Sequence, residues 1–200
     1  MLKFTKNIFL TVVFLLLSFS NTFAVDENEA KKFISKVGQE AINILKIPIE
    51  NINERESLFK DMFDNNFDKK LIHRAIIGRK AAKGATKEEL VRFGKAFDKH
   101  IVKVYASQLG VYSNQLFIID SAKNINKKDT IVSSHIEHET APPLRIDWRL
   151  RDRGIGIKII DISIEGVSLL ATKRADFGAS IKNGGLRELI IDLESKNAQN

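Results

Sequence analysis

The sequence contains no cysteine and only three prolines among its 200 residues. Without cysteine the chain forms no disulfide and has no lipobox residue for lipid attachment, which excludes a disulfide-stabilised scaffold and a lipoprotein. The chain also lacks an HExxH motif, an internal repeat and a low-complexity linker. A globular domain stabilised by a hydrophobic core remains, and it needs neither disulfides nor structural thiolate ligands.

The only long hydrophobic run stands at the start of the chain, where residues 1–24 have the features of a secretory signal peptide. Lys3 and Lys6 precede an apolar run over residues 8–19, which is too short to span a bilayer. Small residues at the −3 and −1 positions of Thr22-Phe23-Ala24 predict cleavage before Val25. We therefore expect an exported protein with a single domain over residues 25–200.

The charge of the mature chain is positive. Removing Lys3 and Lys6 leaves 30 of the 32 basic residues against 25 acidic ones, a net charge of +5. In an exported protein this balance points away from nucleic acid and towards anionic lipid headgroups or an acidic partner surface. A well-solvated surface without a partner is the alternative interpretation.

Helical periodicity dominates the first half of the chain. Capping-box spacing at Asp26 and Glu29 opens a first helix that Pro48 ends, and Gly78 is predicted to close the third. The predicted helices cover residues 26–47, 53–66, 68–77 and 86–109. The last of them carries a continuous apolar stripe, which is typical of a buried core, although its aromatic content also suits a ligand cavity.

After Gly110 the apolar period changes from nearly four to two. Strands are predicted over residues 116–122, 130–138, 144–150 and 157–164. In the third strand Leu144, Ile146, Trp148 and Leu150 alternate with charged residues, so that one face is apolar and the other charged. We predict an α+β fold with an antiparallel sheet of about four strands.

A strand, a tight turn and a helix follow one another over residues 155–181. Gly166 suits the turn, and Ser168 is placed to cap the helix that follows. A serine at this position also suggests a hydrolase nucleophile elbow, which requires glycine two residues on either side. Leu170 occupies the second of these positions, so helix capping is the better interpretation. Asn183-Gly184-Gly185 should then interrupt the helix.

Candidate catalytic groups are few. His135 and His138 point to opposite faces of a strand, and His73 and His100 lie on different helices without a nearby nucleophile. The run from Gly78 to Gly84 lacks the ending of a phosphate-binding loop and is interpreted as a basic loop.

Two carboxylates at the end of the fourth strand form a further candidate pair. Asp161 and Glu165 would lie about 13 Å apart on one strand face, too far to share a proton. They are expected instead to form salt bridges with the arginines opposite. The sequence therefore favours binding over catalysis, with neither metal nor cofactor.

Two segments carry a resemblance to a known family. Residues 159–196, IIDISIEGVSLLATKRADFGASIKNGGLRELIIDLESK, centre on the turn Glu165-Gly166-Val167-Ser168. Residues 85–109, ATKEELVRFGKAFDKHIVKVYASQL, form the long central helix, and Trp148 lies in a strand that alternates basic and apolar residues. These segments resemble the MlaC family of periplasmic phospholipid carriers, also called the toluene-tolerance or ABC-transporter auxiliary family.

The resemblance implies a curved antiparallel sheet wrapped by several helices, with an apolar pocket between them for phospholipid acyl chains. The residues expected to line this pocket are Phe93, Phe97, Ile101, Val104, Tyr105, Val132, Ile136, Leu144, Ile146, Trp148, Leu150, Ile160 and Ile162. Arg145, Arg149 and Arg151 are expected to contact a headgroup or a docking partner. The turn residues Glu165, Gly166, Val167 and Ser168 are expected to have a structural role.

The same resemblance implies a function and partners. The protein would act as a monomer that shuttles phospholipid between the outer and inner membranes of a Gram-negative cell and so maintains outer-membrane lipid asymmetry. Its partners would be an inner-membrane MCE-domain complex with its ABC transporter and an outer-membrane lipoprotein-porin complex. An enzyme acting on a small apolar substrate, with Asp161 or a histidine as base, and a structural adaptor with a self-filled pocket are the alternatives.

Overall fold

The computed structural model describes residues 24–108, 115–137 and 141–199. Most of the predicted signal peptide therefore lies outside the described residues, as do Leu109 and His138. The first described core residue is Val25, which is 5% exposed. Its carbonyl oxygen accepts a hydrogen bond from Thr130 Oγ1 at 2.9 Å.

The described residues form five α-helices and a short 3₁₀ helix in addition to the sheet. They are α1 (Glu27–Leu45), the 3₁₀ helix Ile49–Asn51, α2 (Ile52–Asn66), α3 (Lys69–Gly84), α4 (Lys87–Gln108) and α5 (Leu169–Ala198). The predicted caps are present. Asp26 Oδ1 accepts from the amides of Asn28 and Glu29, while Thr86 and Glu89 form a reciprocal capping box.

Helix α3 is interrupted where the sequence places a glycine. Gly78 has φ 77° and ψ 164°, a conformation that breaks the helical hydrogen-bond ladder and that few residues other than glycine adopt. The predicted end of the helix at Gly78 is therefore confirmed as a break. The predicted basic loop after it is wrong, because residues 79–84 resume the helix. Alanines at positions 81 and 82 favour helix there, and both pack against the core.

The strands form one open antiparallel sheet in chain order, β1-β2-β3-β4-β5. They are β1 (Leu116–Asn124), β2 (Asp129–Glu137), β3 (Leu144–Asp152), β4 (Ile157–Ile164) and β5 (Val167–Ser168). The α+β prediction is confirmed, and the fifth strand adds only two residues to the four that alternation predicted. Those two residues pair with Ser163 and Ile164 after the turn at Glu165 and Gly166.

The helix after the turn begins as predicted. Ser168 Oγ accepts a hydrogen bond from the amide of Ala171 at 3.0 Å, so the N-cap prediction is confirmed. The predicted interruption is confirmed too, because Gly185 has φ 78° and ψ 176° within α5.

Buried side chains form two separate cores. The helical core joins α3, α4 and α5 and includes Phe93, Phe97, Leu189 and Ile190. The sheet core joins α1 to the inner face of the sheet and includes Ile34, Val132, Trp148, Leu150 and Ile159. Phe67, at the α2–α3 junction, packs against both cores. The space between the two cores is where a cavity can form.

Membrane-spanning potential is absent from the described part of the chain. None of its helices combines the length and the apolar composition needed to cross a bilayer.

Candidate functional site

A cavity of about 540 Å³ lies between the helical core and the sheet core. All five helices and the first four strands contribute to its wall. Among the described residues, its only side chains with strongly polar groups are Gln115, Asp161 and Lys173, apart from the Tyr105 hydroxyl and the Trp148 indole nitrogen. This composition suits a hydrocarbon ligand, since each buried methylene contributes about 0.8 kcal/mol when removed from water.

The sheet wall centres on Trp148. Its Nε1 donates to Ser134 Oγ at 2.9 Å, and Ser134 Oγ donates to the carbonyl oxygen of Ile146 at 3.1 Å. The indole donor is therefore satisfied within the sheet, and the ring can face the cavity without leaving a polar atom unpaired. The ring of Phe117 meets Trp148 edge to face at 6.2 Å.

Helix α1 approaches this wall closely because Gly38 has no side chain. A Cβ atom at Gly38 would overlap the ring of Phe117. The Phe117 ring therefore packs directly against the backbone of α1 at Gly38, and this contact sets the distance between α1 and β1. Val37 and Ala41, on the same side of α1, line the cavity next to this contact.

The helical wall is aromatic. Phe63 and Phe67 have ring centroids 4.8 Å apart, and Phe59 stacks on Tyr105 at 6.4 Å with an interplanar angle of 13°. Burial raises the pKa of the Tyr105 hydroxyl above its usual value, so this group is neutral at physiological pH. Phe97 completes the wall from α4.

One end of the cavity reaches the surface. Ala141, Pro142 and Leu144 line the cavity and are exposed, Leu144 to 39%. Lys173 lies half-buried in the wall, and its Nζ is 3.7 Å from Asp176 on the following turn. We call this end the mouth, because apolar lining and a cation there both meet solvent.

Nine of the thirteen residues predicted to line a pocket do line this cavity. They are Phe97, Ile101, Tyr105, Ile136, Leu144, Ile146, Trp148, Ile160 and Ile162. Whether they contact lipid stays a prediction.

The other four predicted pocket residues lie elsewhere. Phe93 is fully buried in the helical core, and Val132 and Leu150 are fully buried in the sheet core. Val104 is half-buried outside the cavity wall.

A bulge in β4 explains in part why some of the predicted residues line the cavity while others lie in the sheet core. Arg149 pairs with Asp161 and Leu150 pairs with Ile159, so Ile160 is an extra residue in β4. Ile159 therefore packs with Leu150 in the sheet core, while Ile160 reaches the cavity.

The predicted docking arginines lie on the sheet face opposite the cavity. Arg145, Arg149 and Arg151 alternate along β3 with cavity-facing or core residues. Arg149 and Arg151 both bind the buried carboxylate of Asp129, with Arg151 Nε 2.5 Å from Oδ1. Arg145 is 63% exposed and lies 3.0 Å from Asp147. Since they point away from the cavity, these arginines do not surround its mouth.

The predicted salt bridges from Asp161 and Glu165 to arginine side chains are wrong. Asp161 accepts hydrogen bonds from Ser168 Oγ at 2.6 Å and from the amide of Leu170 at 3.1 Å. Glu165 Oε1 accepts from the backbone amide of Arg145 at 2.6 Å. Both carboxylates satisfy backbone donors at the strand-turn-helix corner, because an unpaired amide there would be costly.

The histidines named as catalytic candidates lie away from the cavity wall wherever the structure describes them. His73 pairs with Asp98 at 2.6 Å and His135 with Asp120 at 2.8 Å, and within the described ranges no histidine lines the wall. No group of three or more potential metal ligands occurs among the residues that the structure describes. Asp161 is the one carboxylate of the described lining, and it is already bound to two donors.

Sequence reasoning missed the contribution of the first three helices. The unpredicted lining residues there are Val37, Gly38, Ala41, Ile42, Leu45, Phe59, Met62, Phe63, Phe67, Ile72 and Ile76. Most belong to apolar stripes visible in the sequence. A stripe identifies a buried face but does not distinguish a face against solid core from one against a hollow.

Comparisons with known proteins agree with this architecture. A phospholipid-binding protein from Ralstonia solanacearum, whose structure was solved in complex with a phospholipid, matches with a TM-score of 0.73. The match has 23% sequence identity and covers 85% of this chain and 97% of that chain. This likeness establishes the fold.

Sequence comparison agrees with the structural match. A toluene tolerance protein of Pseudomonas putida, ttg2D, is 23% identical over 114 residues, which are 57% of this chain. The matched region spans about half of that relative, 53% of its length. The sequence profile of the MlaC protein family matches residues 35–195. The chain therefore belongs to the MlaC protein family.

Proposed function

We propose that the protein is a periplasmic phospholipid carrier that shuttles lipid between the outer and inner membranes. The observation that carries this proposal is the apolar cavity of about 540 Å³ between two cores. Its volume lies within the range of about 300–1,000 Å³ that is usual for small-molecule sites. Membership of the MlaC family and the phospholipid bound by the Ralstonia protein support the same ligand class.

Energetics explain why such a carrier needs this cavity. Moving an acyl chain of about sixteen carbons from a bilayer into water costs on the order of 10 kcal/mol, at about 0.8 kcal/mol per methylene. Side chains such as Phe97, Ile146 and Trp148 replace the hydrocarbon environment that the chain leaves. The acyl chains would occupy the cavity, and the headgroup would remain at the mouth.

The mouth provides one cation for that headgroup. Lys173 lines the wall there, and its ion pair with Asp176 is long at 3.7 Å. A phosphate at the mouth would give Lys173 a closer anionic partner. We therefore assign the headgroup contact to Lys173 rather than to Arg149 and Arg151, which already share Asp129 on the opposite face.

The transport part of the proposal extends beyond lipid binding. The signal peptide over residues 1–24 would deliver a single domain, residues 25–200, to the periplasm as a monomer. There it would dock in turn on the MCE-domain complex with its ABC transporter and on the outer-membrane lipoprotein-porin complex. Transient docking suits a carrier, because a permanent complex would hold the lipid at one membrane.

The two alternatives meet specific obstacles in the structure. An adaptor with a self-filled pocket requires side chains in the space that the cavity occupies. An enzyme using Asp161 as base requires a free carboxylate, whereas Asp161 accepts from Ser168 Oγ and from the Leu170 amide.

Extraction of the purified protein with organic solvent, followed by mass spectrometry, tests the proposal. We expect diacyl phospholipid at substantial occupancy, and uptake of labelled phospholipid from vesicles after the bound lipid is removed. Heat-denatured protein, carried through the same extraction, controls for adhering lipid. Protein that contains no phospholipid and takes none from vesicles would refute the carrier function.

A further inference from the structure

A second depression, which we call the basic groove, lies on the other side of α1 from the lipid cavity. Helix α1, the turn between β3 and β4, and the α2–α3 connection form its sides, and it is wide and open to solvent. Lys31, Lys32, Lys36 and Lys158 line it. None of these four lysines neutralises a buried carboxylate among the described residues.

The charge of the groove is largely uncompensated. Lys32 and Lys36 are exposed, and neither forms an ion pair with any residue in the described ranges. Lys158 Nζ donates to the backbone carbonyl of Asn65. Glu40, the one acidic residue of the described lining, accepts a hydrogen bond from Asn66 at 3.1 Å. The groove therefore attracts anionic groups.

Apolar and amide side chains complete the groove. Ile119 and Phe33 form part of its surface, and Ile155 projects from the β3–β4 turn with 63% of its surface exposed. Gln39 and Asn43 are hydrogen-bonded to each other at 3.1 Å and still present further donors and acceptors, the pair of functions that a peptide group needs. An occupant with carboxylates, an apolar side chain and peptide groups would match all three features.

We propose that the basic groove docks an acidic, apolar-bearing polypeptide segment of a partner protein. A membrane surface of anionic headgroups fits less well, because the lysines lie beside the amide side chains of Gln39 and Asn43, which match the peptide groups of a polypeptide. The inference goes beyond lipid binding and does not depend on it. Since the groove and the cavity use opposite sides of α1, a partner held there leaves the mouth free for lipid transfer.

A binding experiment with a defined probe tests this assignment. The probe is a synthetic helical peptide with glutamates on one face and leucines on the other, followed by fluorescence anisotropy at increasing salt. We expect saturable binding that weakens as salt rises, and no binding of the matched peptide with glutamine in place of glutamate. Equal binding of the two peptides, or none of the acidic one, would overturn the proposal.

Charge-reversal variants locate the site. The double substitution Lys32→Glu/Lys36→Glu should weaken peptide binding by at least about tenfold, because two attractions become two repulsions. Lys95→Glu/Lys99→Glu changes two exposed lysines with the same spacing on α4, outside both depressions, and should leave the affinity unchanged. Equal losses in the two double variants would contradict a specific groove.

Two further measurements separate the proposal from its competitors. Ile155→Ser removes an exposed apolar side chain without disturbing a core, and it should weaken the peptide complex by about tenfold. Flotation with phosphatidylglycerol vesicles should detect no binding that depends on Lys32 and Lys36, and such binding would identify a membrane surface instead. Phospholipid retained by the Lys32→Glu/Lys36→Glu variant should equal that of the unaltered protein, so this test is independent of the carrier function.

Discussion

At the scale of single residues, Asp129 is a buried charge that several side-chain donors hold. Its side chain is 1% exposed, and it accepts hydrogen bonds from the side chains of Arg149, Arg151 and Asn126. Burial by itself would raise the pKa of this carboxyl group, but the donors outweigh it and lower the pKa from 3.8 to about 2. Folding therefore favours the ionised form of the Asp129 carboxyl group, which lies at one end of the sheet.

This residue gives the first prediction. Because the folded-state pKa is depressed, its contribution is fully present above about pH 4 and is lost as the pH falls towards 2. Asp129→Asn should lower the free energy of unfolding at pH 7 by about 2–4 kcal/mol, since two guanidinium groups lose their carboxylate. The difference from the unaltered protein should narrow by about 2 kcal/mol between pH 4 and pH 2. Urea denaturation at several pH values measures both effects.

A surface carboxylate provides the control for Asp129. Asp176 is 53% exposed and its nearest cation, Lys173, is 3.7 Å away. Asp176→Asn should change the free energy of unfolding by less than about 0.5 kcal/mol at any of these pH values. A pH-independent deficit in Asp129→Asn would show that lost packing, and not the ionised carboxylate, causes the destabilisation.

At the scale of secondary-structure elements, the features fixed by neighbouring residues were predictable. The capping box at Thr86, the N-cap at Ser168 and the break at Gly185 each depend on residues within about one helical turn. The alternation of β3 predicted its two faces for the same reason. The sequence did not predict the register of β4 or the hydrogen-bond partners of Asp161. The bulge at Ile160 and the capping role of Asp161 arise only when β4, β5 and α5 meet.

The cavity illustrates the same limit. Apolar periodicity on α1 and α2 predicts a buried face but says nothing about whether the opposite wall is in contact. Gly38 is an example, since its role depends on Phe117, which lies far along the chain in β1. The family resemblance, and not the periodicity, suggested a hollow between sheet and helices.

The corner formed by β4, β5 and α5 gives the prediction at this scale. Asp161→Ala removes the acceptor for Ser168 Oγ and for the Leu170 amide, and should lower the free energy of unfolding by about 1–3 kcal/mol. Ser168→Ala should cost about 1 kcal/mol through the lost N-cap. The double variant should lose less than the sum, because the two side chains bind each other. Urea denaturation of the three variants gives these energies.

A serine in the same strand serves as the reference for this corner. Ser163 lies on β4 and no side-chain hydrogen bond to it is found among the described residues, so Ser163→Ala should be nearly neutral. Strict additivity of the Asp161 and Ser168 substitutions would mean that the hydrogen bond between them does not stabilise the corner.

At the scale of the whole molecule, an empty cavity would lower the stability of the fold, and a bound ligand would offset this cost. An enclosed empty apolar cavity costs about 24 cal/mol per Å³, so 540 Å³ sets an upper bound on the order of 10 kcal/mol for this cavity, which is open at its mouth. The total stability of a domain is typically about 5–15 kcal/mol. Lipid in the cavity is therefore expected to be a structural component of the resting protein, and its removal should lower the melting temperature.

Filling the cavity with a side chain separates stability from binding. Ala41 lines the cavity from α1, and Ala41→Phe would extend a ring into the space that the acyl chains need. We expect delipidated Ala41→Phe to melt a few degrees above delipidated unaltered protein, as about 1–2 kcal/mol of apolar burial is gained. The same variant should yield clearly less phospholipid on extraction. Differential scanning calorimetry and mass spectrometry provide the two readouts.

The opposite signs of these effects make the test decisive, because a substitution that merely damages the fold lowers both the melting temperature and the lipid content. Ala175→Phe places the same ring on the exposed side of α5 and should alter neither. If Ala41→Phe retained as much phospholipid as the unaltered protein, the lipid would have to lie outside this cavity. The apolar space between the two cores would then require another occupant to offset its cost.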